Sequence, residues 1–310
     1  MQILVTGGAG FIGANLCQAL ERGGHRVTAF DDLSTGAAAN LDGTNTELIV
    51  GSILDPVATI AAAAEADAIV HLAARPSVPR SIADPVPSHL VNATGTVNVL
   101  EAARTDGLRH VITAGSSSVY GANPALPKHA GLATRPVSPY AASKLAAEAY
   151  TLAYGHSFDL PTLSFRFFNV FGPLQAAGHA YAAVIPTFVE AALAGRPLPV
   201  HGDGTQSRDF TFVDTLTAVI IDALERRVTS DEPVNLAYGT RTTLLSVIDL
   251  MSELLGRSVV VDFLPSRAGD VPHSQADDSQ LRSLFPSIVP TPLDIGLKAT
   301  IDWMRDLQVD

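Results

Sequence analysis

The sequence predicts an α/β fold, a doubly wound parallel sheet followed by a smaller mixed α/β lobe at the C-terminal end. Three observations predict it. Over the first 173 residues, short runs rich in β-branched residues alternate with longer alanine-rich stretches of helical character. A glycine-rich turn, GGAGFIG, joins the first run to the first helical stretch. Beyond Gly172-Pro173 the alternation gives way to a mixture of strand-like and helical segments.

Taken in order, QILVTG, HRVTAF, TELIVG, AIVHLAA, HVITAGSS and PTLSFRFFNVFG predict six strands. After them come a helix around 181–195, the short segment LPVHGDG, a strand RDFTFV and a helix TLTAVIIDALERR. A strand PVNLAYG and helices near 244–256 and 293–306 complete the chain. The expected division is a sheet domain of residues 1–173 with about 209–239, and a substrate lobe of 174–208 with 240–310. No internal repeat or long linker interrupts this plan.

With 310 residues, 47% of them apolar, the chain can build one large domain or two smaller ones. A net charge of −11 without any Lys/Arg cluster argues against nucleic acid or an anionic membrane as the main partner. An anionic substrate would need locally placed arginines. No apolar run reaches the length of a membrane span, and the chain enters QILVTG without a signal peptide, so a cytoplasmic protein is expected. Cys17 is the one cysteine, which rules out an intramolecular disulfide or a multi-cysteine zinc site and suits a small buried hydrophobe. The nine histidines lack metal-ligand spacing; no metal is expected and none is assigned to catalysis.

Gly7, Gly10 and Gly13 recur at three-residue intervals between strand and helix; Gly8, Gly10 and Gly13 also fit GxGxxG. Such a turn lets the backbone approach a pyrophosphate while the helix N-terminus faces the phosphate charge. Eighteen residues after Gly13, the second strand ends in Asp31, placed for a carboxylate to accept both hydroxyls of an adenosine ribose. Asp31 and Asp32 together would repel a 2′-phosphate, which favours NAD over NADP.

SPYAASK opens a helix with Tyr140 and Lys144 on one face, four residues apart. Ser116, twenty-four residues before Tyr140, closes the fifth strand. In an open parallel sheet the strand ends beside the cofactor are where substrate binds, so Ser116, Tyr140 and Lys144 are expected to converge there. A phenol has a pKa of about 10, and a neighbouring cation would bring it towards use as a base.

At this point the chain resembles the extended short-chain dehydrogenase/reductases, and among them the nucleotide-sugar 4-epimerases. The resemblance rests on TGGAGFIG, FDDLSTG, HLAARPSVPRS, VNATGTVNVLEAAR, SSSVYG, SPYAASK, RFFNVFGP, GDGTQSRDF and PSRAGDVPHS, all in the family order. It implies a Rossmann-like fold and bound NAD held by Gly7, Gly10, Phe11, Ile12 and Gly13, and by Asp31 and Asp32. Further contacts are implied from Ser34, Thr35 and Gly36, from Ser52 and Ile53, from Leu72, Ala73 and Ala74, and from Asn92, Tyr140 and Lys144. Tyr140 is implied as base, Lys144 as the group that lowers its pKa and holds the nicotinamide ribose, and Ser116 as the partner of the reacting hydroxyl. Ser117, Ser118, Asn169, Val184 and Arg208 are implied at the substrate, with Arg267, Asp270 and Ser274.

The same resemblance ranks the reactions. Dehydratases of this kind replace the residues after the first Ser/Thr by Asp-Glu, and decarboxylases tend to carry Glu at the second; here Ser117 and Ser118 stand there, so 4-epimerisation is expected. A small Ser274, where a bulky tyrosine narrows the sugar pocket in some relatives, implies room for an N-acetyl group besides UDP-glucose and UDP-galactose. Arg75 and Arg80 supply the alternative of a UDP-glucuronate 4-epimerase. A dehydratase and a non-catalytic NAD-binding regulator remain as lesser alternatives. Two departures stand out: Ser52 occupies the position of an Asp that contacts adenine, and the acidic residue usual after LPK is missing. The helices at 88–104 and 139–155 resemble those that pair in this family, and that resemblance implies a homodimer through a four-helix bundle.

Overall fold

The computed structural model describes residues 1–105, 107, 109–177, 182–265 and 272–307. The strands are β1 (Gln2–Thr6), β2 (Arg26–Asp31), β3 (Glu47–Val50), β4 (Ala68–His71), β5 (His110–Ser116), β6 (Thr162–Phe167) and β7 (Asn169–Phe171). They continue as β8 (Leu198–His201), β9 (Ser207–Arg208), β10 (Phe210–Phe212), β11 (Val234–Leu236), β12 (Thr242–Thr243) and β13 (Val261–Leu264). The helices are α1 (Phe11–Arg22), α2 (Pro56–Ala63), α3 (Val78–Ala83), α4 (Pro85–His89), α5 (Gly95–Thr105) and α6 (Pro139–Phe158). After them come α7 (Val184–Leu193), α8 (Val213–Glu225), α9 (Leu244–Leu255), α10 (Ser279–Leu284) and α11 (Leu293–Asp306).

Seven strands form one sheet in the order β11-β6-β5-β4-β1-β2-β3, with every pairing parallel. The direction of winding reverses between β1 and β4, which pair from Ile3 with Ala68 to Thr6 with His71. A crevice opens at such a switch because the following connections leave to opposite faces. Strands covered on both faces need apolar residues throughout, and β4 and β6 are buried along their whole length. One face is covered by α1 and α8 through Leu16, Leu20, Leu216 and Ile220, the other around Ile69, Val99 and Leu100. Each such side chain removed from water contributes about 1.5–3 kcal/mol.

A second core gathers Phe188, Val247, Met251, Leu297 and Ile301 with Phe171, Phe212 and Val213, so it runs across the division expected from the sequence. The later chain also returns to the sheet: Leu281 and Phe285 join the core under β6. PTLSFRFFNVFG, expected as one strand, is two. Phe168 breaks it, and β7 leaves the main sheet to pair in parallel with β10. That departure directs Asn169 towards the lobe. Between α4 and α5 the helical path widens into a π turn, Leu90–Thr94, which carries Asn92; such turns re-aim a side chain without ending a helix. No helix among the described residues is long and apolar enough to cross a membrane.

Candidate active site

The cofactor side is built by the turn after β1. Gly7 has φ +72°, and a Cβ there would lie 2.7 Å from the Ala73 amide nitrogen; at Gly13 a Cβ would lie 2.1 Å from the Gly7 carbonyl oxygen. Only glycine permits both the left-handed turn and that approach. Gly8 instead faces β2, where a Cβ would meet that of Ala29 at 2.5 Å. α1 begins at Gly10 with no side-chain cap and no acidic residue in its first turn, which leaves its amides at Phe11, Ile12 and Gly13 for an anion. Asp31 is buried at the end of β2 and accepts from the Ala9 amide (3.0 Å) and the Leu33 amide (2.8 Å). Burial pushes its carboxyl up, and those two amides oppose the shift. Asp32 receives the Ser34 amide at 2.9 Å, and the loop through Thr35 folds back so that Gly36 abuts Ala9. These residues fit a dinucleotide whose pyrophosphate lies on the turn and whose ribose meets Asp31.

Ser52 turns its hydroxyl to the Leu54 amide (3.3 Å), and buried Ile53 packs against Gly95 beyond β3. Leu72, Ala73 and Ala74 leave β4 opposite the glycine turn. Asn92 reaches the same end of β4: its Oδ1 accepts the Arg75 amide (2.7 Å), and its Nδ2 donates to the Arg75 carbonyl and the Ser143 hydroxyl.

α6 starts with Ser138 as N-cap and Pro139 at its first position, so the start read from SPYAASK holds. Ser116, at the end of β5, stands beside the Tyr140 phenol, where its hydroxyl works to lower the phenol's pKa. Lys144 is buried, with its ammonium donating to the Ala114 carbonyl at 2.9 Å. Ser116 and Tyr140 thus stand together, and Lys144 reaches the same strand at Ala114, two residues before Ser116. Their electrostatics differ from the simple picture of a lysine lowering a phenol: burial pushes Tyr140 up, the Ser116 hydroxyl works against that, and burial lowers Lys144 to about 8.

One group near this centre had no signal in the sequence. His71 is fully enclosed between Thr6 (Nδ1 to Oγ1, 2.7 Å) and Thr96 (Nε2 to Oγ1, 2.9 Å). Thr96 donates its hydroxyl proton to the Asn92 carbonyl, so His71 Nε2–H must donate to Thr96 and Nδ1 accepts from Thr6. Burial, aided by the charge of Lys144, lowers its pKa to about 3. A neutral histidine thus links the strand before the glycine turn to the segment holding Asn92.

Towards the lobe, a cavity of about 240 Å³ is lined by Asn169, Val184, Arg208, His201 and Gln206, among others. Asn169 opens β7 and Arg208 closes β9; the two are brought together by the Asn169 amide donating to the carbonyl of Asp209, the residue after Arg208 (3.1 Å). Fully buried Asp209 clamps the surrounding turns through the Thr240 hydroxyl (2.9 Å) and the Ala276 amide (3.0 Å). Ser117 and Ser118 form the turn after β5, the Ser118 amide bonding Ser116 Oγ. Ser274 lies beside β9, its amide on the Ser207 carbonyl (3.1 Å), outside the cavity wall. The Arg75 guanidinium faces Asp84 at 3.4 Å, and neither it nor Arg80 lines the cavity. Arg267 and Asp270 lie outside the described residues.

Residues 3–237 match the model of the NAD dependent epimerase/dehydratase family. The chain belongs to that family. NAD is accordingly its cofactor. This epimerase-family chain is 36% identical over 99% of both chains to UDP-glucose 4-epimerase of Mycolicibacterium smegmatis. Its fold matches UDP-N-acetylglucosamine 4-epimerase from Methanobrevibacter ruminantium, solved with UDP-N-acetylmuramic acid, with a TM-score of 0.93, 34% identity and coverage of 99% of this chain and 98% of that one. UDP-glucuronic acid 4-epimerase from Bacillus cereus, solved with UDP-glucuronic acid and NAD, gives 0.89 at 31% identity over 99% and 100%.

Proposed function

We propose that the protein is a UDP-sugar 4-epimerase that interconverts UDP-glucose and UDP-galactose, and UDP-GlcNAc and UDP-GalNAc, by transient oxidation at C4. The observation that carries this reading is Ser116 beside the Tyr140 phenol and the Lys144 ammonium on the Ala114 carbonyl, all at the end of β5, two strands from the glycine turn. NAD, when bound, supplies reversible hydride acceptance. Tyr140 removes the proton of the C4 hydroxyl while Ser116 hydrogen-bonds the same oxygen. Lys144 adds a positive charge next to the developing phenolate. For inversion the 4-keto sugar must present its other face, so the anchor has to be the diphosphate, held by Arg208 and Asn169. Tyr140 then returns the proton to the epimeric hydroxyl.

Ser117 and Ser118 are poor acids and bases, which speaks against dehydration. The Arg75 guanidinium faces Asp84 and does not line the cavity, which weakens the case for a uronate substrate. The N-acetyl sugars rest on the small Ser274 of the sequence resemblance, although that residue stands outside the cavity wall, and Arg267 and Asp270 belong to the proposed nucleotide contacts. The proposed boundaries remain 1–173 with 209–239 for NAD, and 174–208 with 240–310 for the nucleotide sugar. A homodimer, paired through the 88–104 and 139–155 helices, completes the proposal; exposed Leu90 and Tyr150 support it.

The test is proton NMR in deuterated water with UDP-glucose, UDP-GlcNAc and UDP-glucuronate in separate tubes. The 4-epimers of the first two, without deuterium at C5, are expected. Turnover of the uronate alone would replace the substrate assignment, and loss of water or carbon dioxide would replace the reaction.

A further inference from the structure

We propose that Ser81 is a positioning residue for Tyr140, its hydroxyl holding the tyrosine's backbone amide and so fixing where the phenol stands. This rests on the reading of Tyr140 as the base.

The first amides of a helix have no partner within it. In α6 the count is simple: Pro139 has no N–H, Ala141 donates to Ser138 Oγ (3.1 Å), and Ala142 donates to the Ser138 carbonyl (3.0 Å). The Tyr140 amide is left over. It donates to Ser81 Oγ at 3.0 Å, across 59 residues of sequence. Ser81 has a relative exposure of 0%, so its replacement by Ala opens no path from the surface for bulk water to stand in. Its own proton goes to the Val78 carbonyl (2.8 Å) inside α3, which orients a lone pair at Tyr140.

The carbonyl side of Tyr140 is held too. It accepts from Ser143 Oγ (2.8 Å), and that oxygen accepts from Asn92 Nδ2 (3.0 Å). Asn92 in turn grips both backbone groups of Arg75. Both peptide groups beside the tyrosine's Cα are thus tied to the segment that leaves β4. Without Ser81 only the carbonyl tie remains, and the first turn of α6 is free to tilt. A tilt carries the phenol away from Ser116, whose hydroxyl opposes the rise that burial imposes on it.

The experiment compares Ser81→Ala with Ser138→Ala in the full chain loaded with NAD. Each removes one oxygen from an N-terminal amide of α6, but only the first releases Tyr140. Two readouts are used: kcat and KM on the UDP-sugar that turns over, and the titration of the phenol by NMR of carbon-labelled tyrosine, assigned by the signal lost in Tyr140→Phe. For Ser81→Ala we expect kcat to fall about tenfold or more, with KM and bound NAD within about twofold, and the phenol midpoint to move to higher pH. For Ser138→Ala we expect a lower melting temperature with the midpoint in place. Equal kcat losses in the two variants, or an unmoved midpoint in Ser81→Ala, overturn the proposal. Should Ser81→Ala not fold, Ser81→Cys, a weaker acceptor, takes its place under the same criteria. Full activity in Tyr140→Phe would instead sink the reading of the base, whatever Ser81 does.

Discussion

Lys144 has to be charged where charge is disfavoured. Burial lowers it from 10.5 to about 8, so between those values the unfolded chain binds a proton that the folded one does not. Stability from this group therefore rises with pH across that window, and below about 8 the folded protein carries the whole penalty, of order 3 kcal/mol. Lys144→Met should accordingly stabilise the cofactor-free protein at pH 7 while abolishing turnover, and the gain should shrink towards nothing as pH approaches 10.5. Thermal melts of both proteins across that range test it; a gain independent of pH would mean that the ammonium carries no such penalty. His71 answers to the same field. Kept neutral and enclosed by two threonines, it places no second cation beside Lys144.

α6 serves as a beam between chemistry and sheet. Its first turn carries Tyr140, its second Lys144, and one turn further Glu148 meets Arg166 of β6 through two bonds of 2.7 Å, both side chains 4% exposed. Burial alone would lower the arginine's basicity, and the bonds to Glu148 outweigh it. Arg166 also donates to the Ala130 carbonyl and stands 4.7 Å over the Tyr120 ring, so the pair braces the segment between Ser116 and Tyr140. Glu148→Ala leaves a buried guanidinium without its counter-charge and should cost about 3–5 kcal/mol in urea unfolding. A loss below about 1 kcal/mol would show that the carbonyl and the ring suffice. The start of α6 was legible because Ser138 and Pro139 are local signals, and the glycine turn because its backbone demands recur at fixed spacing. Ser81, His71 and Thr96 were not, since their partners lie 59, 65 and 25 residues away and only folding brings them together. Nor was the break at Phe168, where no glycine or proline announces that β7 leaves for another sheet.

At the scale of the molecule, the parallel sheet could be read from alternation alone, whereas its strand order and the cavity could not, because the order is set by tertiary pairing and the wall is assembled from β7 to β10, α7 and α9. The acidic chain, with a net charge of −11, would hold an anionic substrate there through Arg208. On another face the helices leave apolar surface uncovered: Val86 is 62% exposed, Leu90 40%, Tyr150 47% and Phe158 44%. Such residues on neighbouring helices suit a two-fold interface in which each copy covers the same patch of the other. The proposed homodimer would thereby cover α4, which follows directly on the α3 that holds Tyr140 through Ser81. Sedimentation should find the wild-type protein dimeric, and Val86→Glu with Tyr150→Glu should give a folded monomer that retains NAD. Because dimerisation would brace α3 against α6, that monomer should also lose kcat with little change in KM. A wild-type monomer would remove the interface, and a fully active variant monomer would remove its link to the tyrosine.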